Sequence, residues 1–577
     1  MLQPSRIAFF CSFLLVAGCG SSDEVGRGKG DGDGSDATVT ENHPGDLVIT
    51  SPARAEFIAE TADGLVTVTG TGATDALEID GQSVVPAADG SFTATVLAVP
   101  GVNVVRVVDG ESAVDTPFVY GRFAPASDAV PAAVAVRINE LGFADPDTSK
   151  VSLTLVANSA LADIDLLGAL DGKTFEGDIP GGQWTFEVES TSYSRASVEL
   201  GPRSEGADFA AVMDDLQVDG ILSVEVFGVG PSGHVTLTAD AAEVSGDIKV
   251  WLEGSSDSIA ASAPSATTTL KNFQYDSGNA GFPCCVDDIM TSILRPKIQS
   301  AAQDKVKQAL SQEVAFALTQ FSLPSTLDLS GAGFPAVVGI EEGFDGAKFD
   351  PKGGRLTAAV RFHAEYGASD VGSAAPGWLT VAQPPAPMPL DAPFGVSISL
   401  DALNQALFAA WAQNGLERTF EDVPLAGSVH LTPRLPPIVL PNGEGGLLAA
   451  AGEIVIDAEI DGSPVQAAIT IRDDLELTID SATRSVLLSP APQPQISITW
   501  LSAEGLDDGF RDTIEAMIIA KLPSLLTPVT LPLPTIPLGA IASSFGDSVG
   551  TLGPAAVLAV DAETSRLGLF GDLAIVP

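Results

Sequence analysis

The sequence predicts a mainly β protein with long helices, of the α+β class, and three observations carry the prediction. Runs of strict apolar–polar alternation recur along the chain, as in Trp184-Thr185-Phe186-Glu187-Val188-Glu189, which is the period of a strand with one buried face. Glycine (58) and proline (40) are abundant while charged residues make up only 18%, a balance suited to many short strands and turns. Three segments instead space apolar residues by three and four, as an amphipathic helix does. The 577 residues are enough for several domains.

Lysine and arginine number 28 against 75 aspartates and glutamates, a net charge of −47. A phosphate backbone would be repelled over most of such a surface, so no nucleic acid is expected as a partner. The 45% hydrophobic fraction argues against wholesale disorder. Four cysteines and four histidines leave little material for a disulfide scaffold, a metal site or general-base chemistry. No cofactor and no metal are expected.

Arg6 followed by the apolar run 7–17 has the layout of an export signal, too short to span a bilayer. It ends in Val16-Ala17-Gly18-Cys19, which resembles the bacterial lipoprotein box. The resemblance implies a signal peptide at 1–18, acylation at Cys19 and a lipid anchor in the cell envelope; Gly20 after the cysteine implies the outer membrane. Residues 19–46, rich in Gly, Ser and Asp, suit a flexible acidic tether. Two or more acyl chains make a stable anchor where one does not. The longest later uncharged run, 522–545, is interrupted by Pro523, Pro528, Pro532, Pro534 and Pro537 and reads as extended chain, not a spanning helix.

Residues 47–123 carry short strands between turns. Leu65-Val66-Thr67-Val68-Thr69 is one, Ala88-Asp89-Gly90-Ser91 turns into another, and Pro100-Gly101-Val102-Asn103 leads into Val104-Val105-Arg106-Val107-Val108. This rhythm resembles small bacterial immunoglobulin-like domains and implies an N-terminal Ig-like β-sandwich, more often a spacer than a binder. An Ala- and Pro-rich linker at 124–133 follows. Residues 134–375 and 394–577 form two further modules, separated by a Pro-rich connector at 376–393.

Within the first module, Val151-Ser152-Leu153-Thr154-Leu155 reads as strand. Asp287 or Asp288 caps a helix expected to reach about residue 321, with Ile289, Ile293, Ile298, Ala302 and Val306 on its apolar stripe and a kink at Pro296. In the second, Ser399 caps a helix carrying Leu400, Leu403 and Leu407 on one face, with Asn414-Gly415 as its stop. Asp508 opens a third helix with Phe510, Ile514, Met517 and Ile518.

A long helix, the connector, Phe394-Gly395-Val396-Ser397-Ile398-Ser399-Leu400-Asp401 entering a helix, a later helix before Leu531-Pro532-Leu533-Pro534, and a final Leu567-Gly568-Leu569-Phe570-Gly571 follow in this order. The order resembles the bactericidal/permeability-increasing and lipopolysaccharide-binding proteins of the tubular lipid-binding (TULIP) superfamily. The resemblance spans residues 134–577 through order and pattern, not invariant residues. It implies two elongated TULIP-like barrel modules whose helices and curved sheets hold acyl chains in apolar tunnels. On that basis the stripe residues of all three helices, ordinary core by default, become candidate pocket lining. The implied partners are phospholipid-like or other acyl lipids, bound and carried passively near the membrane with no enzymatic step. Animal members tie a strand to the long helix by a disulfide; here the mature cysteines beyond Cys19 are the adjacent Cys284 and Cys285, as a vicinal disulfide or two thiols.

Other chemistry finds little support. Gly546-Asp547-Ser548-Val549-Gly550 matches a nucleophile elbow, yet no histidine follows His430. Gly172-Lys173-Thr174 has Leu167 where a phosphate loop needs its first glycine. Asp31-Gly32-Asp33-Gly34-Ser35-Asp36 lacks the glycine and later glutamate of a calcium loop. A second class of function is a cell-surface adhesion protein whose sandwich binds glycan or protein, with the barrels as scaffold.

Overall fold

The computed structural model describes residues 47–502 with short breaks, the longest at 279–285, 320–325, 329–336, 365–371 and 385–391, together with 38–39 and parts of 511–576. Residues 47–124 pack two sheets face to face. One joins Val48–Ser51, Leu65–Thr71 and Phe92–Leu97; the other joins Gln82–Val84, Leu77–Ile79, Gly101–Asp109 and Ser112–Ala124, with Glu56–Ala59 added in parallel. Alternation sends Val66, Val68, Leu77, Ile79, Phe92 and Phe118 into the space between them. The Asn103 amide donates to the Val99 and Gly101 carbonyls and accepts from the Val99 N–H, which pins the turn into the long strand.

Three larger sheets follow. Thr174–Ile179, Gly182–Ser192, Gly206–Val226, Ser232–Glu253 and Ser258–Lys271 run in that order, with Arg195–Arg203 and Gln274–Asp276 paired at the side. A central sheet takes strands from distant parts of the chain: Val130–Asn139 lies between Gly353–Ala364 and Phe394–Ser399, and Arg566–Gly571 pairs with the latter. The third sheet is built from Arg418–Val423 through Gln495–Ser502. Strands of 21 and 22 residues are too long to stay flat, because strand twist accumulates along them. They curl, and a helix covers the inside.

The α+β class with long helices is corrected by this architecture. The described residues are 61% strand and 14% helix, so the protein is mainly β, and among them only Arg295–Thr319 exceeds twelve residues. An apolar stripe at helical spacing reports one buried face; it does not report how much of the chain is helix. The strand expected at 151–155 is also corrected. Leu153–Ala162 is helical because Ser152 accepts from the Leu155 N–H as N-cap and the apolar period continues through Val156, Ala160 and Leu161. The kink expected at Pro296 takes the form of a π-helical segment, Ile289–Leu294, where Arg295 N–H reaches back five residues to the Met290 carbonyl. The widened turn makes room for a ring that would otherwise strike the preceding turn.

The sandwich does not stand apart. Trp378–Thr380, within the expected connector, pairs with Arg122, Phe123 and Ala124 on its edge. Arg54 of the sandwich donates from Nε and Nη2 to the two oxygens of Glu453 on the third sheet, at 2.9 and 2.7 Å, and from Nη1 to the Asp115 carbonyl at 2.6 Å. Glu453 sits at a bulge with φ +50°, a costly conformation for a residue with a Cβ. Val102, Val119, Leu379, Leu435, Ile438 and Ala450 close around the contact. Glycines permit the approach: a Cβ on Gly101 would lie 2.7 Å from Leu440, and one on Gly452 2.9 Å from Val102.

Candidate functional site

The interior of the first curled sheet is apolar because each strand sends alternate residues inward, Trp184, Phe186 and Val188 among them. Arg295–Thr319 lies over this face. Three bonds hold it: Arg295 Nη2 donates to the Leu270 carbonyl (3.2 Å), Gln299 Nε2 to the Thr268 carbonyl (3.1 Å), and the Ala263 N–H to Ser311 Oγ (2.9 Å). Ile289, Ile298, Ala302 and Val306 are buried in one line along the helical segment, Ala302 and Val306 at 0% exposure. Ile293 is only half-buried.

The cover is less complete at the start of this helix. Phe175, Ile179 and Phe273 are half-buried like Ile293 and border the same core. Two cations stand over the aromatic rings: Arg295 is 5.7 Å from the Phe273 centroid, and Lys297 is 5.5 Å from Phe175 and 6.0 Å from Trp184. An apolar rim with positive charge, leading to a wholly apolar interior, suits a ligand with a polar head and a hydrocarbon tail.

A groove of about 1060 Å³ lies elsewhere, beside the edge strand Arg195–Arg203. Its wall includes Thr154 and Asn158, which satisfy that edge: Asn158 brackets Val198 through both its N–H and its carbonyl, and Thr154 accepts from the Leu200 N–H. Asp208, Ser245, Asp247 and Thr267 share the lining with Val198, Leu200 and Phe209, so the wall is mixed polar and apolar.

After the central-sheet strand Phe394–Ser399, all twelve residues of the helix Leu400–Trp411 are buried. Ser399 caps the helix by accepting from the Asp401 N–H, and Asn414 follows it with φ +57°. Leu400, Leu403 and Leu407 therefore belong to a helix enclosed on every side, not to an exposed stripe. Its polar residues fasten separate segments: Asp401 accepts from Val381 and Ala382, Asn404 from Val439, and Gln405 from Phe362 while donating to Asp128. Burial raises the Asp401 carboxyl above its usual range against those bonds. Burial also brings the neighbouring Arg566 guanidinium down to about 10, despite the opposing pull of Asp401.

The structure thus brings the Ile289–Val306 stripe together and sets the Leu400 helix in another part of the same continuous core. Phe510, Ile514, Met517, Ile518, Cys19, Cys284 and Cys285 lie outside the described residues. Sequence reasoning missed the rim residues Phe175, Phe273, Arg295 and Lys297. The available signal was a pair of basic residues flanking Pro296 on an otherwise apolar helix start. After Ser548 of the elbow-like motif comes the strand Val549–Leu552, where an elbow needs a helix.

One further feature projects from the first sheet. The hairpin between its two longest strands ends in Phe227 and Val229, 88% and 81% exposed. Val226 and Val229 exchange both backbone bonds, and the Phe227 N–H donates to the Gly181 carbonyl. Among the described residues no helix is long and apolar enough to cross a membrane.

No family model and no curated protein matches the chain. Among solved structures it is similar to a lipopolysaccharide binding protein at 16% identity, over 78% of this chain and 99% of that one, with a TM-score of 0.41. P47 of Clostridium botulinum E1 is similar at 9% identity over 77% and 99%, TM-score 0.27; P47 of C. botulinum A2 gives 8%, 77%, 99% and 0.29. These are likenesses of outline, and nothing about a ligand follows from them.

Proposed function

We propose that the chain is a lipid-binding protein of the cell envelope that takes up phospholipid-like or other acyl ligands and carries them without covalent chemistry. The observation that supports this most is the half-open rim of Phe175, Phe273 and Ile293, which borders the apolar interior along Ile298, Ala302 and Val306. Burial of tails would supply the affinity at about 0.8 kcal/mol per CH₂. Mass spectrometry of solvent extracts from protein purified without residues 1–19 tests the reading: bound acyl lipid is expected, and an empty extract from protein never exposed to detergent counts against it.

The anchor belongs to the same proposal. Cys19→Ser is expected to move the protein from the membrane to the soluble fraction; a variant still sedimenting with membranes in high salt would refute acylation as the means of attachment.

The Phe227–Val229 tip fits a bilayer surface, because the Val226 and Val229 backbone groups bond each other and the Phe227 N–H bonds the neighbouring Gly181 carbonyl, which leaves few unpaired donors to carry into lipid. Anchorless protein is expected to bind zwitterionic vesicles with no loss as salt rises, since a chain of net charge −47 has no favourable Coulomb attraction to screen. Phe227→Ser with Val229→Ser should weaken that binding by at least about tenfold. Vesicle binding that vanishes near 0.5 M salt would instead reveal a basic patch.

A further inference from the structure

Trp184 is 1% exposed, and its indole Nε1 is buried with no hydrogen-bond partner among the described residues. Buried donors are nearly always paired, because an unpaired one loses its water and gains nothing in return. The ring is held where it is: Trp184 faces Gly177 across the ladder, and a Cβ there would sit 2.8 Å from Nε1. Beside the ring stands Lys297, its ammonium 6.0 Å from the centroid, with no carboxylate partner among the described residues. One ring thus carries an unsatisfied donor on its edge and an ammonium over its face, and among the described residues neither group has an oxygen or a carboxylate for partner. Both groups complement an anion, and the surroundings are Phe175, Phe186 and Ile298, which complement hydrocarbon.

We infer that Trp184 Nε1–H and the Lys297 ammonium receive the oxyanion head of a singly acylated lipid, a fatty-acid carboxylate or a lysophospholipid phosphate. The indole donates one hydrogen bond, the ammonium donates a charge-assisted one, and the tail runs from the rim inward along Ile298, Ala302 and Val306. This rests on the acyl-binding reading above and specifies the head that the rim selects.

The test uses delipidated protein lacking residues 1–19, labelled with ¹⁵N at the tryptophan indoles, and three probes: palmitate, palmitoyl lysophosphatidate and hexadecanol. Trp184→Phe identifies the Trp184 resonance. At least one anion is expected to move that indole proton downfield while hexadecanol leaves it in place. Lys297→Met, which keeps the apolar stem, should weaken anion binding by at least about tenfold with hexadecanol affinity unchanged, and Lys297→Arg should restore most of the loss. Palmitate alone giving this pattern assigns the carboxylate, and lysophosphatidate alone assigns the phosphate. Anions that bind no more tightly than hexadecanol, or a Trp184 resonance unmoved at saturation, would overturn the headgroup site while leaving acyl binding intact. Failure of all three probes to bind would overturn the acyl-binding reading and the headgroup site with it.

Discussion

Arg54→Met is expected to release the N-terminal sandwich from the third sheet and to cost about 3–5 kcal/mol, the usual consequence of stripping the partner from a buried charge. Glu453 is 0% exposed and receives two bonds from Arg54, whose own side chain is 26% exposed. Without the guanidinium, the carboxylate keeps its burial and loses its main compensation. Hydrogen exchange at Gly101–Asp109 and at Leu447–Ile460 reads the outcome: protection should fall on both sides of the contact. The double variant Arg54→Met, Glu453→Gln should recover much of the loss, since neither partner is then charged. If the single variant unfolds like wild type, the ion pair is incidental, and the apolar contacts around Val102 and Leu435 hold the sandwich together with the Arg472–Val102 and Ser497–Asp115 hydrogen bonds and the Trp378–Thr380 pairing.

Ala302→Trp is expected to destabilise the ligand-free protein by about 1–3 kcal/mol, because position 302 is closed in and an indole there forces neighbours off their rotamers. On the acyl-binding proposal the same change should abolish uptake, because the indole fills the path of the chain along Ile298, Ala302 and Val306. Wild-type protein should gain stability with added ligand by mass action, and the variant should not. Thermal unfolding with and without palmitate measures both effects. A variant that is destabilised yet still stabilised by ligand as fully as wild type would take the stripe off the binding path.

The local elements were legible wherever one physical period dominated. Trp184, Phe186 and Val188 alternate with Thr185 and Glu187, and they lie in a strand with the three buried. Ser399 before Leu400 and Asn414 after Trp411 mark both ends of a helix, since capping and left-handed closure depend on neighbouring residues only. Residues 151–155 misled because five residues of alternation fit either period, and the Ser152 cap decided between them. Leu400, Leu403 and Leu407 looked like one apolar face, but the polar residues between them are buried too, each bonded to a segment far away in the chain.

Most of the candidate site is of this second kind. The apolar stripe from Ile289 to Val306 follows from helical spacing, which a sequence displays directly. That Lys297 stands over Trp184, more than a hundred residues earlier, and that the indole N–H lacks an acceptor, follow from how far the long strands curl before the helix closes on them. Likewise the turns at 88–91 and 100–103 are local features of the sequence, while the attachment through Arg54 and Glu453 joins residues 399 positions apart. Periodicity and capping are set by residues within a few positions of each other. Charge compensation and donor satisfaction depend on which side chains the fold brings within about 3 Å, and only the tertiary structure decides that.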